Sequence, residues 1–230
     1  NSNALGLNAL GLNTTGAHNN AFGYAALDAN TTGAHNCAFG HDALGLNTTG
    51  GSNVAVGNYS LDANTTGASN VAVGYDALGG NTTASNNVAI GNGAMNATVT
   101  GASNVAIGQH TLDANTSGTL NNAIGLHALG QCTTGSNNEA HGYGALSLIT
   151  TGQSNIGIGH SAGDVLTTGS YNVTIGQGCD PSGLAGSHQI VIGSLNQTGK
   201  GDSTGFIAPS TGAVYQGNNS TAWTATSDRR

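Results

Sequence analysis

The chain has 230 residues, a formal net charge of −7 and 6% charged residues, with 39 glycines and 4% aromatics. Ordinary globular domains carry about 25% charged residues; so few aromatics leave no large interlocking core, and so few charges with only two prolines argue against disorder. Residues 1–199 contain no Lys or Arg, which argues against nucleic acid and anionic membranes as partners, and no apolar run approaches the ~20 residues of a membrane-inserted helix.

From the N-terminus onward one unit recurs. A glycine closing an N-x-A-apolar segment falls at Gly6, Gly23, Gly40, Gly57, Gly74, Gly91, Gly108, Gly125, Gly142, Gly159, Gly176 and Gly193, every step being 17 residues. Internal periods of this kind mark solenoids. The idealised unit is NVAVGYDALDANTTGAS. Its first segment alternates in period 2, as a half-buried strand does. Val54 and Val56, Val71 and Val73, and Val105 and Ile107 are expected to face inward, with the Ala between them outward. A second inward column is Leu27, Leu44, Leu61, Leu78, Met95, Leu112, Leu129 and Leu146. The N-T-T-G segment supplies a turn, since Gly takes positive φ freely and Asn and Thr bond to nearby backbone. Frequent Gly and the short apolar spacing argue against helix.

The fold class expected is all-β: a parallel β-solenoid, or β-roll, with about two short strands per 17-residue coil and coils about 4.8 Å apart. Identical residues then form ladders. Asn36, Asn53, Asn70, Asn87, Asn104, Asn121, Asn138, Asn155 and Asn172 are expected to bond amide to amide, and Thr31, Thr48, Thr65, Thr82, Thr116, Thr133, Thr150 and Thr167 to form a second ladder. A thin coil buries few side chains, so several chains are expected to associate through the Ala columns (Ala26, Ala43, Ala77, Ala94, Ala128, Ala145). The N-T-T triplets at Asn30, Asn47 and Asn64 match glycosylation sequons but read as turn chemistry.

Chemistry is sparse along the repeat. Its acids are Asp28, Asp42, Asp62, Asp76, Asp113, Glu139, Asp164 and Asp180. Asp28, Asp62, Asp113 and Asp164 share one column but skip coils, which reads as solvated turn residues rather than catalytic pairs. No phosphate loop, nucleophile elbow or calcium-binding nonapeptide occurs, so no enzyme activity and no cofactor are expected. Cys37, Cys132 and Cys179 are too dispersed for a zinc pattern or a disulfide framework. His18 and His35 share a turn column and read as exposed. One coil breaks the pattern: in Asn137-Asn138-Glu139-Ala140-His141-Gly142, Glu and His stand at both inward apolar positions. A buried charge needs a partner, so Glu139 and His141 are the candidate metal ligands, for an ion on a trimer axis. A Glu–His hydrogen bond or a register-setting polar layer is the alternative.

From Ser194 the period stops, and residues 194–230 hold the only Trp (Trp223) and all three basic residues. Two regions follow: a repeat shaft or head, 1–193, and a non-repetitive connector, 194–230. The chain opens without Met or a signal segment, which reads as a fragment or a processed product.

The segments SNVAVG (69–74), NNVAIG (86–91) and SNVAIG (103–108) resemble the N-S-V-A-I-G signature of trimeric autotransporter adhesin heads, and similar repeats occur in bacteriophage tail fibres. The resemblance spans about residues 1–193, although that family's repeat is usually shorter than 17. It implies left-handed β-rolls, a homotrimer, and a place on a virion tail fibre or a cell surface. GNNSTAWTATSDRR (217–230) resembles the junction before the chaperone domain of endosialidase-type tail spikes. That resemblance implies Ser227, before Asp228, as the self-cleavage position of a longer precursor; the cleaving domain and its Lys are not in this chain. The function expected is a structural and adhesive fibre that contacts a host-surface receptor or glycan. The alternative is an ice-binding solenoid using the Thr ladders, although adjacent threonines such as Thr65-Thr66 depart from the T-x-T pattern of such surfaces. A sugar-cleaving spike is a third reading, without candidate acids.

Overall fold

The computed structural model describes residues 1–209, 213–217, 222 and 224–226. Its first twelve strands, from β1 (Asn3–Leu5) to β12 (Ile190–Gly193), pair in parallel and in sequence order. Each pairs with the next at an offset of 17, as Val71 with Val88 and Val88 with Val105. The described residues therefore build a parallel β-solenoid with no helix. No helix among them is long and apolar enough to cross a membrane.

Each coil has one strand rather than two, of three residues in β1 to β11 and four in β12. The Leu column cannot extend because it sits in the left-handed region: φ is 52° at Leu61, 54° at Leu78 and 55° at Leu112. Residues two before and eight after share that region, as Tyr59 (61°) and Ser69 (59°) do around Leu61. These left-handed residues bend the chain round the coil. Between bends the backbone still bonds to the next coil, Leu61 N–H to Ala77 O at 3.0 Å and Thr65 N–H to Thr82 O at 2.9 Å. The strand-closing glycine is required twice over. At Gly125 φ is +132°, and a Cβ would stand 2.5 Å from the Gly142 carbonyl oxygen.

The inward and outward faces of the strand are the reverse of the expectation. Ala55, Ala72, Ala89, Ala106 and Ala123 are fully buried, while Val56, Ile90, Ile107 and Ile124 are exposed. The reason is thickness. The Leu column projects across the coil onto the strand, and the space left holds one methyl group. At Gly157, where the methyl is missing, a Cβ would already lie 2.7 Å from Leu146 Cγ. One coil on, the partition inverts. The Leu position becomes Gly163 and the inward strand residue becomes Thr174, whose Oγ1 lies 2.9 Å from where a Gly163 Cβ would be. The Ala26, Ala43, Ala77, Ala94, Ala128 and Ala145 column is also fully buried, inside the core and not between chains.

Two buried asparagine ladders stitch the coils. Asn70 donates its Nδ2 to Ala84 O at 2.9 Å and accepts the Asn87 N–H on Oδ1 at 3.0 Å. This column is thus mainly amide to backbone, with weaker amide–amide contacts such as Asn104 Nδ2 to Asn87 Oδ1 at 3.3 Å. A true amide–amide ladder stands in the turn, where Asn64 Nδ2 donates to Asn47 Oδ1 and Asn81 Nδ2 to Asn64 Oδ1, both at 2.8 Å. Asn30, Asn47 and Asn64, the sequon positions, are fully buried. Thr31 and Thr65 direct their hydroxyls to the carbonyls of Thr48 and Thr82, each at 3.0 Å.

The sheet does not end where the repeat ends. β13 (Gly205–Ala208) pairs in parallel with β12, the offset shortening to 15. β14 (Ala213–Gln216) and β15 (Thr224–Thr226) then return antiparallel. Cys179, Val191, Phe206 and Ala208 form a second small core there.

Candidate functional site

Reversal of the strand faces leaves a long apolar surface on the outside of the sheet. Its two columns run through Cys37, Val54, Val71, Val88 and Val105, and through Phe39, Val56, Val73, Ile90 and Ile107. The second column is the more open: Val56 is 39% exposed and Ile158 41%. Phe22 and Phe39 stack in it, ring centroids 4.8 Å apart. Contiguous exposed apolar area of this kind marks an interaction surface.

Glu139 and His141 lie on that outer face in β9 (Glu139–His141), not in the core. They replace one residue in each apolar column, with Ile156 and Ile158 beside them on the next strand. His141 Nε2 lies 3.6 Å from Glu139 Oε2, an ion-pair distance when His is protonated and too long for a hydrogen bond. His141 Nε2 is shielded from solvent and has no hydrogen-bond partner in the chain. Among the described residues no group of three His, Cys, Asp or Glu side chains could hold a metal. One chain thus brings two donors together and no more. Ser227 lies outside the described residues.

The other acidic residues meet on a different side of the coil. Asp42 and Asp76 come from the left-handed position before the buried Ala, and Asp28, Asp62, Asp113 and Asp164 from the position after the Leu column. Both columns open onto one line of clefts. One, of about 650 Å³, is lined by Asp113, His127, Gln131, Tyr143, Ser147 and Asp164 among others. A cleft of about 350 Å³ shares Asp113 with it, and one of about 380 Å³ shares Asp164. A fourth, of about 310 Å³, holds Asp28, Asp42 and Asp62. The carboxylates sense burial and one another. Partial burial raises the Asp62 pKa, and Asp76 adds to it. Burial also raises Asp113, against the lowering pull of His110. Asp180 is pushed up to about 6, by burial first and by Asp164 second.

Sequence reasoning saw these acids as separate turn residues because they skip coils. The signal it missed is the alternation with glycine in the same column: Gly11, Asp28, Gly45, Asp62 and Gly79. A Cβ at Gly11 would collide with the Asp28 carboxylate, which fills the space that the glycine leaves. Elsewhere in the column the fit differs: a Cβ at Gly45 would meet only Asp42, and one at Gly79 the Asp76 carboxylate. His18 and His35 stack at 4.9 Å on the surface, as expected.

Comparison with family models, with curated proteins and with solved structures finds no match.

Proposed function

We propose that the chain is one strand of a homotrimeric attachment fibre, the shaft or head of a phage tail fibre or surface adhesin that meets a host-surface receptor or glycan. The observation that carries this reading is the two-column Val/Ile/Phe face of the sheet, its first column half-buried and most of its second exposed in a single chain. Three chains packed on these faces bury an apolar stripe that water disfavours. The N-S-V-A-I-G-like segments supply the three-fold expectation. In such a bundle the Glu139–His141 layer fixes register, because a slip of one coil sets these groups against Ile124 or Ile158 and leaves a charge unpaired. The role is mechanical and not catalytic.

Light scattering tests it. The expected mass is three times the 22.4 kDa chain. Ile107→Lys, on the outer face, should return the mass to that of the monomer with the far-ultraviolet circular dichroism unchanged. A wild-type monomer overturns the reading. An ion held by three Glu139 and three His141 side chains belongs to the same assembly. Metal analysis of the purified trimer decides that point, since no bound metal removes it.

The Thr columns support the fibre over the ice-binding alternative. The hydroxyls of Thr31, Thr48, Thr65 and Thr150 donate to backbone carbonyls of the next coil. That leaves the neighbouring column, Thr32, Thr49 and Thr66, as a single exposed file, too narrow to template ordered water on a plane. Thermal hysteresis should be absent, and its presence would favour the alternative.

A further inference from the structure

The line of clefts is independent of the apolar face, because its lining comes from outside the strands. Three of the four clefts are contiguous through Asp113 and Asp164, and run from Tyr75 to Thr198. Equivalent positions recur with every coil, at about 4.8 Å, so the surface suits a ligand that itself repeats along its length. Solenoids commonly use such extended surfaces for binding.

The lining chemistry narrows the ligand. No Lys or Arg stands anywhere in residues 1–199, so a polyanion finds no permanent cation and several carboxylates opposed to it. Carboxylates only accept hydrogen bonds, but Asn96, Gln131, Ser147 and Ser161 add donors beside them. A hydroxyl both donates and accepts and uses such a mixture fully; the cationic side chains of a basic peptide need acceptors alone. Aromatic rings complete the wall. Tyr143 is half exposed and stacks on His160 of the next coil at 4.9 Å, and His127 stacks on His110 at 5.6 Å. Stacking takes up one face of each ring. The remaining aromatic surface beside polar groups is amphipathic, and it matches the apolar C–H face of a sugar ring whose hydroxyls point to its edge.

We propose that this groove binds a linear, uncharged oligosaccharide, lying along the rod with its sugar faces on Tyr143 and neighbouring rings and its hydroxyls on Asp113, Asp164 and Gln131. The proposal deepens the attachment half of the reading above and does not depend on the number of chains in the fibre.

Saturation-transfer NMR and calorimetry test it, on the intact protein, with neutral hexasaccharides of several linkages, a uronic-acid oligosaccharide, and polylysine as the cationic-peptide arm. Binding of at least one neutral hexasaccharide is expected, with weak salt dependence, and none of the uronic-acid probe. Tyr143→Ala and Asp113→Asn should each weaken binding at least about tenfold, equivalent to ~1.4 kcal/mol. Thr83→Ala, in the exposed Thr file, should change nothing. Circular dichroism distinguishes loss of the groove from loss of the fold. No binding of any neutral probe up to about 10 mM, or salt-sensitive binding of polylysine alone, overturns the groove as a glycan site and leaves the light-scattering result on the trimer untouched.

Discussion

At the scale of the residue, the solenoid is held by polar groups that ordinary cores exclude. Asn104 is fully buried. Its Oδ1 accepts the Asn121 N–H at 2.9 Å, and its Nδ2 donates to Gly118 O at 2.9 Å. A buried group left unpaired costs about 1–3 kcal/mol. Asn104→Ala strands the Asn121 N–H and weakens the partnering of Gly118 O, so a loss of ~2–4 kcal/mol is expected in urea unfolding. Asn104→Asp keeps the acceptor but loses the donor and buries a charge, so it should be at least as damaging. Equal stability of the alanine variant and wild type would mean that the ladder contributes nothing.

Asp180 gives a pH dependence at the same scale. It follows Gly163 in the Leu column, its Oδ1 is shielded without a hydrogen-bond partner, and its pKa is pushed from 3.8 up to about 6. The folded state therefore holds the proton more tightly than the unfolded chain. Its contribution is fully present below the unfolded value, is lost as pH rises towards the folded value, and remains lost above it. Asp180→Asn should melt higher than wild type at about pH 7.5 and equally at about pH 3.5. Asp164→Asn, which removes the second cause, should recover part of that gain. A variant that shifts melting equally at both pH values would refute the account.

At the scale of the element, the instructive case is the strand whose faces were misassigned. Period 2 in N-V-A-V-G correctly gives a strand and places Val54 with Val56 on one side, but it cannot say which side is inside. Ordinarily the larger apolar residues go in. Here the opposite wall already holds Leu61, Leu78 or Leu112, fully buried, and the strand can offer only Ala. That depends on the thickness of the coil, which no single segment encodes. The second strand failed for a different reason: alternation was present, but φ of about 50–60° at the Leu column, 55° at Leu112, forbids extension. Sequence carried a trace of this, since the column holds Leu and Met and no Val or Ile from Leu10 to Leu146. β-Branched residues are outliers at positive φ. Leu112→Met should therefore cost under about 1.5 kcal/mol as a near-volume-conserving change. Leu112→Ala should cost ~2–5 kcal/mol from the cavity. Leu112→Val should lose at least ~2 kcal/mol despite removing only one methylene, because backbone strain adds to the lost contact. Valine melting as methionine does would mean that the left-handed column is relaxed.

At the scale of the whole molecule, the fold is a translation repeated, and its sequence period was legible while the placement of its functional faces was not. The acidic groove arises only when two columns, one holding Asp42 and Asp76 and the other Asp62 and Asp113, are stacked beside each other. The outer apolar face likewise exists only as a stack. Both follow from register, and register has a sharp test. Excision of residues 71–87 joins Asn70 to Val88, so every column continues with one coil fewer. The shortened chain should keep the circular dichroism of the parent and unfold cooperatively, since stability in a solenoid is approximately a sum over units and their interfaces. Excision of residues 71–86 leaves one residue too many in the join. It moves Val88 into the place of Ala72 and Ala89 onto the outer face, for as long as the coils stay in step. A slip of one residue exchanges the two faces of a strand, and a coil interior that holds one methyl cannot take Val in its place. The 16-residue excision should therefore lose the cooperative transition that the 17-residue excision keeps, although it removes less of the chain. If both excisions melt alike, the coils are not locked to one another by their columns.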